Sequence, residues 1–133
     1  MYVIDTGINI EHVEFGGRAY WGKTMPLNDV DEDGNGHGTH CAGTIASDKY
    51  GVAKKAKVIA VKVLGSNGSG TMSDVVGGVV WAASQAKAKA DKGDPKHKGS
   101  VANMSLGGGK SRALDDSVDK AVDTGLHFAV AAG

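Results

Sequence analysis

The sequence has 133 residues, with fifteen lysines and arginines against fifteen aspartates and glutamates, and a single cysteine. This length suits one domain with a sizeable core, and the balanced charge gives no field that would favour a nucleic acid or an anionic membrane as partner. Its apolar stretches fall far short of the roughly 20 residues that span a bilayer, and one cysteine excludes an internal disulfide. We therefore expect no nucleic-acid partner, no membrane association and no disulfide scaffold.

Short β-branched runs alternate along the chain with stretches of helical period. Strands are predicted at 2–5, 58–64, 101–106 and 126–132. Helices are predicted at 37–47, at 73–91 with Ser73-Asp74 as the cap, and at 113–123 before Gly125. Strands separated by helices predict parallel pairing through right-handed crossovers. The fold class is therefore α/β, a doubly wound parallel sheet flanked by helices on both faces.

Asp5 closes the first predicted strand within the sequence Asp5-Thr6-Gly7. In a doubly wound sheet, functional groups gather beyond the carboxyl ends of the strands. A buried carboxylate there needs hydrogen bonds or a positive partner, and a histidine would serve. The alternative is that Asp5 only begins a turn with Gly7. Taken alone, this residue leaves both interpretations open.

A histidine that could pair with Asp5 lies in the sequence Asn35-Gly36-His37-Gly38-Thr39-His40. The flanking glycines leave the His37 ring little steric cover at the start of a predicted helix. The positive helix end disfavours imidazolium, and a neighbouring carboxylate would fix the tautomer and restore basicity. Asp5 and His37 are therefore the predicted catalytic residues, with His37 as the general base that deprotonates a serine. His40 is interpreted as structural.

Two metal-binding hypotheses also apply to this stretch, and both are weaker than the catalytic interpretation. His37 and His40 supply only two ligands, with no third evident in the sequence. Asp29, Asp31 and Asp33 copy the first half of a calcium loop, but a histidine stands where that loop needs a bidentate glutamate. No metal site is predicted, and the acidic residues before the helix are interpreted as a solvated loop.

The glycine-rich stretch at 65–70 lies between a predicted strand and a predicted helix. It has neither the Lys-Ser or Lys-Thr pair of a phosphate loop nor the Gly-x-Gly-x-x-Gly spacing of a dinucleotide loop. A glycine-rich edge does let an extended peptide pair with the backbone as an added strand. Ser105-Leu106-Gly107 offers a second such edge. The alternative for both segments is that they are ordinary turns with no role in binding.

Three motifs, in this order, resemble those of the subtilase family, and specifically its proteinase K-like branch. The aspartate motif runs over 3–8, the histidine motif over 33–43 and a substrate-lining segment over 103–108. The resemblance covers nearly the whole chain. It implies that 1–133 is a partial catalytic domain, the N-terminal portion of a subtilisin-like fold, taken from a secreted serine endopeptidase.

The resemblance also implies roles beyond the catalytic pair. It places two backbone segments beside the substrate peptide and the end of the chain in the primary specificity pocket. The substrate-binding residues that it implies are Gly68, Ser69, Gly70, Met72, Ser105, Leu106, Gly107, Ala131 and Gly133. Small residues in that pocket predict a preference for large apolar or aromatic side chains. Cys41 is similar to a free thiol that this branch places beneath its catalytic histidine.

Two further family motifs would follow this segment: the asparagine that helps to bind the oxyanion, directly after Gly133, and later a Gly-Thr-Ser-Met-Ala nucleophile motif. Without them we expect the segment itself to be inactive. The resemblance implies no cofactor in this segment, with any structural calcium in other parts of the parent protein. It also implies protein substrates, a propeptide that inhibits and chaperones the enzyme, a monomer, and an extracellular location whose signal peptide is not in this chain.

Two other classes of function stay open at this point. A non-catalytic peptide-binding module, or pseudoenzyme, could keep the same fold without the chemistry, and a natural stop after residue 133 would support it. A calcium-binding module using the acidic loop would show calcium-dependent thermal stabilisation.

Overall fold

The computed structural model describes residues 1–132. Its strands are β1 (Tyr2–Asp5), β2 (Ala19–Thr24), β3 (Val58–Lys62), β4 (Val101–Met104) and β5 (His127–Val130), and its helices are α1 (His37–Ala46), α2 (Met72–Asp91) and α3 (Arg112–Asp123). The strands form one sheet in the order β2-β3-β1-β4-β5, and every neighbouring pair is parallel. The predicted α/β class with a parallel sheet is confirmed.

Strand β1 lies at the centre of the sheet and is buried on both faces. Because successive side chains point to opposite faces, Tyr2 and Ile4 pack into the core formed with α2 and α3, whereas Val3 packs against Ala42 and Ala46 of α1. Helices therefore cover both faces, as predicted for a doubly wound sheet. The same alternation places Asp5 on the face that α1 covers.

The starts of α2 and α3 are set by side-chain caps. The Thr71 hydroxyl accepts a hydrogen bond from the Asp74 amide, so α2 begins at Met72 and the predicted Ser73-Asp74 cap is wrong. The Ser111 hydroxyl caps α3 in the same way, through the Leu114 amide. Within residues 1–132, none of the helices is both long and apolar enough to cross a membrane.

Strand β2 and a short 3-10 turn at Val13–Phe15 are additions to the predicted elements. Gly22 and Lys23 interrupt the apolar pattern of β2, and its ladder with β3 shifts register between Trp21 and Lys23. The predicted strands beginning at 58, 101 and 126 are shorter than expected. These three strands end before their predicted ends at the carboxyl edge of the sheet, and the loops that follow them form a cleft.

Candidate active site

Asp5 ends the central strand, and its side chain is completely buried. Its Oδ1 atom lies 2.8 Å from Nδ1 of His37 and accepts a hydrogen bond of 2.7 Å from the Thr6 amide. Within the described residues, its Oδ2 atom is buried without a hydrogen-bond partner. The His37 side chain keeps half of its surface exposed. The structure thus brings the two predicted residues together, with the carboxylate inside and the ring at the surface.

The start of α1 fixes the position of the His37 ring. Gly36 precedes the helix at φ 100°, a left-handed conformation that favours glycine. The Asn35 side chain accepts a hydrogen bond from the His37 amide at 3.2 Å. The Gly38 amide donates to the Thr6 hydroxyl at 2.9 Å, which ties the helix to the end of β1. The backbone around the histidine is therefore held from both sides.

A methyl group at Gly38 is expected to disrupt this arrangement. A Cβ atom there would collide with the Gly7 carbonyl oxygen, which is backbone and cannot turn away. We expect Gly38→Ala to lower the free energy of unfolding by about 3 kcal/mol, the upper range for overpacking, and to lower kcat/KM because His37 is the adjacent residue. Urea denaturation and peptide hydrolysis by the full-length gene product would measure both effects.

Gly43→Ala is the matched control, since a Cβ at Gly43 of the same helix meets no atom within 4 Å among the described residues. Alanine there should be neutral or stabilise the protein by up to about 1 kcal/mol. Equal losses for the two variants would contradict the close packing assigned to Gly38.

Asp33 links the end of β1 to the start of α1. Its Oδ1 atom accepts from the Thr6 hydroxyl at 2.8 Å and from the Gly36 amide at 2.8 Å. Its Oδ2 atom accepts from both the amide and the hydroxyl of Thr39. From the sequence, Asp33 was considered only as part of an incomplete calcium loop, and its role in joining β1 to α1 was not predicted. An acidic residue just before a predicted helix is a capping signal that could have indicated it.

These hydrogen bonds make stability depend on the charge of Asp33. Partial burial alone would raise its pKa, but hydrogen bonds from Thr39, Gly36 and Thr6 outweigh burial and hold the pKa below its ordinary value. A carboxylate with a lowered pKa in the folded state stabilises the protein above its unfolded pKa, and this contribution is lost as the pH falls through the folded value.

We expect Asp33→Asn to lower the free energy of unfolding at pH 7 by about 2 kcal/mol, because the amide nitrogen would face a donor. The difference from the unmodified protein should shrink as the pH falls below about 4, the ordinary range of the aspartate pKa. Denaturation curves of the full-length gene product at several pH values would measure it. A difference that stays constant down to pH 2 would contradict the ionic role.

Lys62 is a completely buried lysine on the same face of the sheet as Asp5. Its ammonium group lies 3.3 Å from the Asp29 carboxylate and donates to the carbonyls of Val30 and Glu32 at 3.3 and 2.7 Å. Asp29 has a lowered pKa, first because of a hydrogen bond from the Val30 amide and also because of Lys62. Sequence reasoning did not single out this lysine.

The loop before α1 is exposed at Asp31 and Glu32, as predicted, but Asp29 is partly buried and two of its acidic side chains have partners in the sheet. Asp29 pairs with Lys62, and Asp31 accepts a hydrogen bond of 2.6 Å from the Thr24 hydroxyl. The ion pair of Asp29 was not predicted because Lys62 lies in β3, 33 residues further along the chain, whereas Thr24 ends β2 just before the loop. These two contacts hold the loop against the sheet before it leads into His37.

Cys41 lies one helical turn after His37, with its Sγ atom 3.9 Å from Nδ1 of the ring. Burial raises the pKa of the Cys41 thiol; a hydrogen bond with Ser105 lowers it in part, and the Asp5 carboxylate raises it further. Within residues 1–132, Asp5, His37 and Cys41 form a group whose candidate metal-ligand atoms lie within 4.8 Å of one another. A metal there would compete with the hydrogen bond between Asp5 and His37. His40 is exposed and does not join this group.

A cleft of about 1070 Å³ opens beside His37 at the carboxyl edge of the sheet. The predicted substrate-binding residues that line it are Gly68, Ser69, Gly70, Met72, Ser105, Leu106, Gly107 and Ala131. Gly133, the remaining one, lies outside the described residues. The two glycine-rich edges therefore face one cleft, as the strand order predicts.

One wall of this cleft was not predicted. Helix α3 contributes Leu114 and Val118, together with Asp115 and Asp119. Each pair has the i, i+4 spacing of a single helix face, which could have indicated a shared surface. That this helix face lines the cleft could not be predicted from the sequence, because the position of α3 depends on how α3 packs against α2.

Comparisons with known proteins identify the family of this chain. The model of the subtilase family of peptidases matches residues 2–133. A subtilisin-like serine protease of Penicillium rubens, Pen ch 18, is 73% identical over 132 residues, which are 99% of this chain and 27% of that protein. The subtilisin-like proteinase Spm1 of Pyricularia oryzae is 69% identical over 136 residues, covering 99% of this chain and 25% of that protein.

A solved structure shows the same fold. The crystal structure of a cold-adapted subtilisin-like serine proteinase superimposes with a TM-score of 0.85 at 48% identity, over 99% of this chain and 45% of that one. The chain therefore spans about a quarter of the curated relatives named here and less than half of the solved one.

Proposed function

Because the chain belongs to the subtilase family of peptidases, we propose that it forms part of a serine endopeptidase that hydrolyses peptide bonds through an Asp-His-Ser triad. The observation that carries this proposal is the 2.8 Å contact between the buried Asp5 carboxylate and the half-exposed His37 ring at the edge of a cleft. The serine would come from the rest of the parent protein. Residues 1–133 are then a partial catalytic domain.

In this mechanism the Asp5 carboxylate accepts a hydrogen bond from the Nδ1–H group of His37, which holds the proton on Nδ1 and leaves the other ring nitrogen as the base. That nitrogen takes the proton of the serine hydroxyl while the serine oxygen attacks the carbonyl carbon of the substrate. The resulting imidazolium then gives the proton to the departing amine, which leaves an acyl-enzyme for water to hydrolyse. The buried negative charge of Asp5 stabilises the imidazolium at each of these steps.

The cleft supports binding of an extended peptide. The backbone segments 68–70 and 105–107 both line it, and strand addition would let a substrate pair with the backbone groups that these segments do not use in their own turns. Met72 and Ala131 line the same cleft and contribute apolar surface to it. Proteins in extended or locally unfolded conformations are therefore the proposed substrates.

We expect the parent to cleave after large apolar or aromatic residues in preference to charged ones. The reason is that small residues just after β5, Ala131 among them, would leave an uncharged space for the side chain before the scissile bond. A peptide library digested by the parent protein and sequenced by mass spectrometry would measure the preference. Cleavage dominated by lysine or arginine at that position would contradict it.

Other properties of the parent follow from the family. We propose that it is extracellular and monomeric, that its own propeptide inhibits and chaperones it, and that any structural calcium lies outside this segment. The segment alone should not hydrolyse protein, because the loss of one oxyanion contact costs about 2.7–4 kcal/mol of transition-state stabilisation and this segment would lack the nucleophile as well.

A serine-reactive phosphonate probe applied to the full-length parent tests the central proposal. Labelling that disappears in His37→Ala, with the segment alone unlabelled, would support the triad. His40→Ala is the matched control and should label normally, since His40 lies outside the site. A folded parent that binds peptides but neither labels nor hydrolyses them would show a pseudoenzyme instead.

A further inference from the structure

Two tripeptides in this chain match the acceptor pattern for N-linked glycosylation, Asn-x-Ser or Asn-x-Thr without proline in the middle. They are Asn67-Gly68-Ser69 and Asn103-Met104-Ser105. The pattern alone does not distinguish them. Their positions in the fold do, because a glycan needs an asparagine whose side-chain amide reaches solvent in the finished protein.

Asn67 lies at the tip of the loop that joins β3 to α2, and all residues from 66 to 70 are exposed. The loop is a tight turn in which the Gly68 amide donates to the Gly65 carbonyl and the Gly65 amide donates to the Ser69 carbonyl, both at 2.9 Å. Gly68 has φ 80°, a left-handed conformation that suits glycine. The turn is therefore ordered without any need to bury the asparagine.

The Asn67 side chain takes part in this turn through its oxygen only. Its Oδ1 atom accepts a hydrogen bond of 3.0 Å from the Ser69 amide, the third residue of the acceptor pattern. Among the described residues, its Nδ2 atom makes no hydrogen bond. Because Asn67 is an exposed residue, the nitrogen that would carry the sugar has no internal partner to give up, and the asparagine is already folded back toward the serine.

Asn103 has the opposite environment. It lies within β4, which pairs with β1 on one side and with β5 on the other. Its Nδ2 atom donates a hydrogen bond of 2.8 Å to the Ser105 hydroxyl, inside its own acceptor pattern. An oligosaccharide on this nitrogen would replace one of its two hydrogens and crowd the contact with Ser105, at a partly buried position in a strand paired on both sides. The folded protein therefore disfavours a glycan at Asn103.

We propose that Asn67 carries an N-linked oligosaccharide in the mature parent and that Asn103 does not. The donor is a lipid diphosphate-linked oligosaccharide. The Nδ2 atom of Asn67 forms a bond to the anomeric carbon, the bond from that carbon to the diphosphate oxygen breaks, the amide gives up one proton, and the lipid diphosphate leaves. This inference rests on entry into the secretory route, which the proposed extracellular location requires.

A glycan at Asn67 would stand at the rim of the substrate cleft. The next residues along the chain, Gly68, Ser69 and Gly70, line that cleft. The loop also contacts the segment before His37, because the Asn35 side chain donates a hydrogen bond of 2.9 Å to the Ser66 carbonyl. The sugar would therefore extend next to the bound peptide, beside the catalytic histidine rather than on a remote surface.

The test uses the full-length parent, produced with its own leader in a fungal host and recovered from the medium. Its peptides are analysed by mass spectrometry before and after peptide-N-glycosidase treatment in heavy-oxygen water, which converts a glycosylated asparagine into labelled aspartate. We expect the label at Asn67 and none at Asn103. Asn67→Gln and Ser69→Ala should each abolish the label at 67, whereas Ser69→Thr should retain it.

Active enzyme in the medium with an unmodified Asn67 would overturn this inference and leave the protease proposal intact. A parent found only in the cytosol would overturn the proposed location and the glycan with it, but not the triad. Label at Asn103 in a folded, active product would show that position in the fold does not separate the two acceptor sequences.

Discussion

Asp5→Asn or His37→Ala in the full-length parent is expected to lower kcat/KM by roughly 10⁴-fold or more, the loss typical of triad enzymes, subtilisin among them. His37 is the only described histidine within hydrogen-bond distance of the buried Asp5 carboxylate. Alanine removes the base itself. Asparagine keeps the shape of Asp5 but carries no charge to stabilise the imidazolium that forms during the reaction.

The Asp5→Asn variant is informative because it should fold normally. Within residues 1–132 the Oδ2 atom of Asp5 has no hydrogen-bond partner, so an amide nitrogen in its place breaks no existing contact. Steady-state hydrolysis of a peptide substrate measures the loss, and thermal denaturation checks the fold. Activity within tenfold of the unmodified parent, in a correctly folded variant, would exclude Asp5 from the triad.

Lys62→Met in the parent, with its serine blocked to prevent self-digestion, is expected to lower the free energy of unfolding by about 3 kcal/mol, near the lower limit for breaking a buried ion pair. Methionine fills the space of the lysine stem but cannot donate hydrogen bonds. The carbonyls of Val30 and Glu32 would lose their partner, and the Asp29 carboxylate would lose its counter-ion. Urea denaturation at neutral pH measures the change.

Lys55→Met is the matched control, because Lys55 is exposed and makes no hydrogen bond or ion pair among the described residues. It should change stability by no more than about 0.5 kcal/mol. Because the loop held by Lys62 leads into His37, the Lys62 variant should also lose peptide hydrolysis when its serine is left unblocked, whereas the control should not. Similar stability losses for both lysines would show that the buried contacts of Lys62 contribute little.

The candidate site could be predicted from the sequence where local pattern and position coincide. Asp5 ends a strand of buried residues, and glycines flank His37 at a helix start, so each residue shows its role within a few neighbours. Parallel pairing then places both at the same edge of the sheet. The contacts of Lys62 could not be predicted in this way, because its acceptors are mostly backbone carbonyls about thirty residues away in the chain.

A signal for Lys62 was nevertheless present. A lysine within the apolar run 58–64 must be buried if that run is a central strand, and buried lysines are almost always paired. The type of partner could be inferred from this, but not its identity. Strand β2 was missed for a related reason: Gly22 and Lys23 give it a weak pattern, and it forms because β3 offers a free edge.

The fold class was predictable because the alternation of strands and helices repeats along the chain. The strand ends were not, because apolar residues such as Val63 and Leu64 continue the pattern after the ladder has ended. Val63 belongs to the core, and its amide still donates to the Asp5 carbonyl at 2.9 Å, although it lies beyond the last residue of β3. The hydrophobic pattern reports burial, and burial continues past the last residue of the strand.

The Cys41 thiol lies beside His37, so its own capacity to act as a nucleophile has to be considered. Cysteine, histidine and aspartate occur together here, the trio of a thiol protease. In such an enzyme the sulfur ionises readily because it pairs with imidazolium. Here the pKa of Cys41 is raised, and its sulfur faces Nδ1, the ring nitrogen already bonded to Asp5. The sulfur therefore stays protonated and weakly nucleophilic at neutral pH, a spectator to acyl transfer.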